Sequence, residues 1–327
     1  MKLKKLMLLP FMLLILTSCN EKQVDRDIAT TRVVAAIEKT LTEPITSLNV
    51  LISGELNQTL NVYGENDEVL KESTAKMTGQ VTYTGNNLDR ENGAFIVKAL
   101  GTYDAYDGEK KLMDYDFDNK LYYTDGVAYH DFTISAFNDY ANETRTLSGK
   151  QKQEVEIYTG IARLPVIEAE LPFAFRDLKD ILGAVETVTA SERMNILTVK
   201  YSLKNSDIVE IAKVLYAEEL AAMTAEDQAA ALTELAEIVD DEYLIHQGDL
   251  VVEVKNGYIT NVSLIVDLDT MGYGYVYNDE IESFEIYPSV YKTKGAIDVS
   301  LQINEKVELS FPSFTDFVLV DDLMAIF

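Results

Sequence analysis

The sequence predicts an α+β fold: one large, curved antiparallel sheet of roughly a dozen strands, with a few helices segregated from it. Three observations carry this expectation. Two-residue hydrophobic alternation fills most of the chain. Turn dipeptides such as Asp107-Gly108, Asp125-Gly126 and Asn256-Gly257 punctuate it. Helical periodicity is confined to a few blocks and does not alternate regularly with strands.

The N-terminus opens with Lys2, Lys4 and Lys5, continues through the apolar run Leu6–Leu16, and reaches Leu16-Thr17-Ser18-Cys19. An apolar helix of this length rises about 16 Å, far short of the ~30 Å hydrocarbon core of a bilayer. Residues 1–18 therefore read as a secretory signal that is removed. Leu16, Thr17, Ser18 and Cys19 resemble the bacterial lipobox. That resemblance implies a diacylglyceryl group and fatty acyl chains such as palmitate on Cys19. It also implies a lipid anchor on the extracytoplasmic face of the cell membrane. Asn20 is not the Asp associated with inner-membrane retention.

Cys19 is the only cysteine. With its thiol taken by lipid, the folded part is expected to have no disulfide, no thiolate metal site and no cysteine nucleophile. The chain carries 28 basic and 55 acidic residues, a net charge of −27. Such a field repels nucleic acid and offers no basic stripe to displace phosphate counterions.

Residues 19–23 are expected to be a short polar tether, at most roughly 18 Å long. Residues 24–327 read as a single domain. Asp27 precedes a helical pattern of Ile28, Val33, Val34, Ile37 and Leu41 that ends near Pro44. Strands are expected over Thr46–Val62, Val69–Thr84, Phe95–Tyr106, Lys111–Phe117, Lys120–Thr124 and Val127–Phe132, with Asp118-Asn119 as a hairpin turn. Residues 135–170 give no clean period, apart from a candidate strand at Val155–Gly160. A short helix follows over Phe173–Val185, then a strand over Asn195–Leu203. A helical insertion spans 206–241, with Ser206 as an N-cap and Thr224 with Asp227 as a capping box. Strands return over Leu250–Lys255, Tyr258–Leu268, Ile281–Tyr287, Ala296–Ile303 and Val307–Phe311, with Asn256-Gly257 as the strongest hairpin signal.

This order of elements is similar to the lipid-carrier fold of the lipoprotein carrier LolA, its acceptor LolB and the LppX and LprG lipoproteins. The resemblance rests on the helix after the lipid, on the strand–Asp-Gly–strand rhythm of Tyr106–Tyr115, and on the helical insertion before a final meander. It covers most of residues 24–311 as topology. It implies an unclosed barrel with helices on its concave side and a greasy cavity for a lipid or other apolar ligand.

Candidate chemical sites are few. Asp114, Asp116, Asp118 and Asp125 occupy positions one, three, five and twelve of a calcium-loop template. Asn119 replaces the loop glycine, however, and strands stand where helices should flank the loop. A strand with Asp114, Asp116 and Asp118 on its solvated face is the favoured alternative. His130 and His246 lie far apart in sequence and read as partly exposed structural residues. Gly272-Tyr273-Gly274 lacks the third glycine of a phosphate cradle. The helical insertion has two readings, a lid over a cavity or an ordinary amphipathic hairpin on one sheet face. The expectation is a cell-envelope lipoprotein that is not an enzyme, uses no cofactor, and binds an apolar ligand or lipid. The alternative is a structural or interaction module at the cell surface with a filled core.

Overall fold

The computed structural model describes residues 21–90, 92–138, 143–155, 175–278 and 283–320. The expected signal, Cys19 and most of the candidate strand Val155–Gly160 lie outside them. Among the described residues, β1 (Lys22–Gln23) and α1 (Arg26–Thr42) precede a six-strand meander. It comprises β2 (Ser47–Tyr63), β3 (Val69–Asn86), β4 (Ala94–Asp107), β5 (Lys110–Thr124), β6 (Val127–Asn138) and β7 (Glu143–Glu154). Then come α2 (Phe175–Ala184), β8 (Thr187–Arg193) and β9 (Ile196–Ser202). The helical insertion comprises α3 (Asn205–Leu215), α4 (Ala217–Ala222) and α5 (Ala225–Glu242). The long strands β10 (Tyr243–Lys255), β11 (Tyr258–Asn278) and β12 (Ser283–Ile303) follow, and β13 (Val318–Leu319) closes the order.

All the strands belong to one curved sheet in the order β1-β8-β9-β10-β11-β12-β2-β3-β4-β5-β6-β7-β13. Every pairing is antiparallel except β13 on β7. The sheet does not close, as expected. The two halves of the chain join where β12 pairs with β2 from Ser289↔Val62 to Ile303↔Leu48. Both edges carry a terminal segment of the chain. Lys22 and Gln23, assigned above to a tether, pair with Glu192 and Ser191 of β8, and Val318 and Leu319 pair with Gln151 and Lys152 of β7. Covering edge N–H and C=O groups in this way limits edge-to-edge association.

Side-chain alternation gives the sheet an apolar face. In β2 that face carries Leu48, Val50, Ile52, Gly54, Leu56, Leu60 and Val62, while Ser47, Asn49, Ser53, Glu55, Asn57 and Asn61 point the other way. α1 packs on the apolar face at one end. Its Ala29, Val33 and Ala36 are fully buried in a cluster with Leu197, Val199, Tyr201, Val252, Val254 and Ile259. Asp25 caps the helix by accepting from the N–H groups of Asp27 and Ile28 at 3.0 and 3.2 Å. Arg32 then holds Glu192 of β8 through two bonds of 3.0 and 3.2 Å.

Several local expectations are corrected. The dipeptide Asp118-Asn119 makes no turn, and β5 runs straight through it. Asn119 falls in phase with Tyr115, Phe117, Leu121 and Tyr123, so pairing with β4 and β6 outweighs turn propensity. The segments Ile281–Tyr287 and Ala296–Ile303 belong to one strand, β12. Val307–Phe311 is not a strand. Ser206 sits inside α3, which begins at Asn205. The capping is done by Asp207, whose carboxylate accepts from the N–H groups of Lys204 at 2.8 Å and Glu186 at 2.9 Å. Thr224 caps α5 as expected, its Oγ1 accepting from the N–H of Asp227 at 3.2 Å, but the Asp227 carboxylate accepts from the Thr224 hydroxyl at 2.7 Å rather than from the Thr224 N–H, so the expected box is half made.

Residues 304–317 form an extended strap across the polar face, away from α1. Ser47 Oγ donates to Glu305 O at 2.6 Å, and Asn86 Nδ2 to Val307 O at 3.1 Å. Phe311 then lies 6.4 Å from Tyr122, and Phe314 stacks on Tyr129 at 3.7 Å. The strap thus runs from the central strands to the β7 edge, where β13 pairs.

Candidate apolar hollow

α1 packs against β8, β9, β10 and β11, so the apolar face of β2–β5 lacks that cover in mid-sheet. There the side chains shrink to nothing. Gly54, Gly79 and Gly101 stand directly opposite one another on β2, β3 and β4. The same cross-strand row continues to Phe117 on one side, and to Ile297 and Leu264 on the other. The result is an open hollow of about 300 Å³. Gly54 and Gly79 form its floor, and Ile52, Leu56, Met77, Val81, Phe117, Leu264, Val266 and Ile297 surround it. This volume is at the lower end of the range for small-ligand sites.

Tight packing explains the flanking glycines. A Cβ on Gly101 would lie 2.7 Å from Thr78 O and 2.8 Å from the Phe117 ring, so the ring lies over β4. A Cβ on Gly295 would lie 3.0 Å from Leu56 Cδ1, and Leu56 covers that position. Gly79 differs, because a Cβ there would meet only Leu100 O, at an ordinary 3.7 Å. The floor is open at Gly79 and roofed at Gly101. On the opposite face the same glycines leave a shallow depression edged by Ser53, Glu55, Gln80, Leu100 and Asp298, so the sheet is only one backbone thick here.

The hollow presents wet hydrocarbon. Ile52 is 38% exposed, Met77 51%, Ile297 48% and Leu264 36%, and they are contiguous across four strands. No residue of the helical insertion lines the hollow, so the helices of 205–242 do not form a lid on it among the described residues. They pack instead as an ordinary helical layer, with α3 against α2 and α5 on β10 and β11.

The residues singled out as chemical candidates lie elsewhere. Asp114, Asp116 and Asp118 project from the polar face of β5, and Asp125 sits in the β5–β6 turn with a φ of 51°. Lys111 binds Asp114 at 2.5 Å and Asp104 at 3.5 Å, while Lys120 binds Asp118 at 2.9 Å. No cluster of three or more His, Cys, Asp or Glu side chains that could hold a metal occurs among the described residues. His130 is buried, contrary to the partly exposed setting expected for it. It lies on the apolar face of β6 opposite Leu121 and Gln151, 5.0 Å from the Phe132 ring. Burial pushes its imidazole down, with Asp131 pulling weakly the other way. His246 occupies a bulge of β10 at 3.3 Å from Asp269. The strand order separates β10 from β6 by six strands, so the two histidines share no site.

The glycine row escaped the sequence reading because its meaning depends on register. Three glycines in separate strands align only once Gly54↔Gly79↔Gly101 is known. The available signal was each glycine's place in the apolar phase of a long alternating strand.

No family model and no curated protein matches the chain. Among solved structures it is similar to a β-barrel-like protein of domain of unknown function DUF1849 from Brucella abortus. The identity is 10% and the TM-score 0.21, over 80% of this chain and 100% of that one. It is also similar to the translocator domain of the autotransporter NalP from Neisseria meningitidis, at 11% identity and a TM-score of 0.17, over 83% and 94% of the two chains. A third likeness is to the outer membrane protease OmpT from Escherichia coli, at 7% identity and a TM-score of 0.20, over 80% and 98%.

Proposed function

We propose that this chain is a non-enzymatic lipoprotein of the cell envelope that holds an apolar ligand, such as a lipid or a fatty acyl chain, in the hollow over Gly54 and Gly79. The observation that carries the reading is the hollow itself: a groove walled by Ile52, Met77, Phe117, Leu264 and Ile297 and floored by glycine. Covering Ile52, Met77 and Ile297 with a ligand would gain about 1 kcal/mol for each half-exposed side chain. The resemblance to the lipid-carrier fold favours the same ligand class. Cys19, behind its charged and apolar leader, supplies the anchor on the extracytoplasmic face of the membrane.

Two experiments test the two halves of this reading. Expression in a bacterium should give protein that partitions into detergent, and Cys19→Ala should abolish that; a variant that stays membrane-bound contradicts the anchor. A chain beginning at Asn20 should bind a fluorescent fatty acid at micromolar concentration. Failure to bind points to the surface interaction module instead.

A further inference from the structure

The two longest strands continue past their neighbours. β2 accompanies β12 only as far as Val62↔Ser289, and β10 accompanies β11 only as far as Tyr243↔Thr270. Tyr273–Asn278 and Ser283–Pro288 therefore form a two-stranded ribbon extending roughly 20 Å beyond the sheet, rooted at Met271 and Gly272, which already lie past the end of β10. One face of it carries Met271, Tyr273, Tyr275 and Tyr277, opposite Val290, Pro288, Ile286 and Phe284. Met271 is 50% exposed, Tyr273 72%, Tyr275 60%, Tyr277 49%, Phe284 65% and Ile286 61%. The other face is occupied: Gly274 lies tight against Val62, and Glu285 accepts from Tyr287 Oη at 2.7 Å and Asn278 Nδ2 at 3.1 Å. The uncovered face is thus the apolar and aromatic one.

We infer that this face docks against the same face of a second copy of the chain. The area is sufficient: six half-exposed large side chains present about 700 Å² per copy, so a pair buries about 1,400 Å², within the range of stable interfaces. The composition fits as well, since Tyr, Phe and Met are enriched at interface cores and charged residues are depleted there. None of the eight residues of the face is Asp, Glu, Lys, Arg or His. The shape permits self-pairing. A two-fold axis parallel to the strands lays the Tyr273–Tyr275–Tyr277 row of one copy on the Phe284–Ile286–Pro288 row of the other. The ribbon's described residues include no Lys or Arg to meet lipid phosphates, which disfavours a bilayer as the occupant. The chain's net charge of −27 opposes the approach of two copies. Salt should therefore strengthen this contact, whereas it weakens one made by charge attraction.

Sedimentation equilibrium on a chain beginning at Asn20 tests the inference. It should show a monomer–dimer equilibrium that tightens several-fold between roughly 50 mM and 500 mM sodium chloride. Tyr275→Ser with Ile286→Ser should weaken it at least about tenfold, with the circular dichroism spectrum and fatty-acid binding retained as evidence of folding. In the same chain, which has no other cysteine, Tyr275→Cys should crosslink to itself with a short bis-maleimide. A chain that stays monomeric at both salt concentrations overturns the inference, as does a dimer unaffected by the double substitution. Vesicle flotation through the ribbon without dimerisation also overturns it, in favour of a membrane-binding face.

Discussion

Gly54 and Gly79 face each other across the β2–β3 ladder, and neither sends a side chain into the hollow that they floor. Because space opens above Gly79 and not above Gly101, the two positions should respond oppositely to enlargement. Gly79→Leu should fold, with stability changed by no more than about 1 kcal/mol, because its Cβ meets only Leu100 O at 3.7 Å. It should also fill the hollow and reduce fatty-acid binding at least about tenfold. Urea unfolding and a binding titration on the same variant check both parts.

Gly101→Ala should instead cost about 1–3 kcal/mol, because the new methyl meets backbone and ring at distances that force both to move. Thr78 O lies 2.7 Å and the Phe117 ring 2.8 Å from that methyl. Urea denaturation measures the loss, and a variant as stable as the parent would contradict the packing described for Phe117.

Tyr83 sets an alkaline limit on the fold. Its ring packs 5.6 Å from Phe95 on the apolar face, and burial pushes its hydroxyl up to about 12. The folded state holds the proton more tightly than the unfolded chain. The associated stability is therefore complete below about pH 10 and lost as pH rises towards 12, amounting to about 2–3 kcal/mol. Tyr83→Phe should flatten this slope, although Tyr201, also raised by burial, keeps part of it. Denaturant midpoints measured between pH 8 and 12 read the difference.

At the acid end Asp249 plays the converse part. Burial pushes its carboxyl up. Hydrogen bonds from Ser202 at 2.7 Å and Gln247 at 2.7 Å, with Lys200 at 2.9 Å, outweigh that and hold it below its usual range. Its contribution is therefore present above about pH 4 and lost as pH falls through the lowered value. Asp249→Asn should cost about 1–3 kcal/mol at neutral pH and reduce the acid dependence. An unchanged acid transition would contradict this account.

The strap should behave as a clamp on the β7 edge. Phe314→Ala removes the ring stacked on Tyr129, and Phe317→Ala a buried ring at 5.5 Å from the same tyrosine. Each should cost about 2–4 kcal/mol. Hydrogen exchange should then speed up in β6 and β7 before it does in β9 and β10, which α1 covers.

Much of this fold is legible in the sequence because alternation and turn chemistry agree. β2, β3, β4 and β9 fall within a few residues of expectation, and Asn256-Gly257 makes the hairpin it advertises, with positive φ at both residues. Each miss has its own physical cause. β7, with the sequence Glu-Thr-Arg-Thr-Leu-Ser-Gly-Lys-Gln-Lys-Gln-Glu, is exposed on both faces over its first half and flanked on its outer side by only the two residues of β13, so it has little hydrophobic period to read. Asn119 looks like a turn residue and is held in a strand by its neighbours on both sides. At the level of sequence a cavity is only what the resemblance to the lipid-carrier fold implies, with no residue assigned to it. Its residues depend on which glycines become cross-strand neighbours, and that is fixed by tertiary register.

The most direct test of the central claim is native mass spectrometry of the chain beginning at Asn20, expressed in a bacterium and purified without detergent. It should carry a co-purified lipid or fatty acid as a discrete mass increment that solvent extraction removes and Gly79→Leu prevents. Protein that arrives empty, and that also fails to take up an added fluorescent fatty acid, would contradict an apolar-ligand function for the hollow.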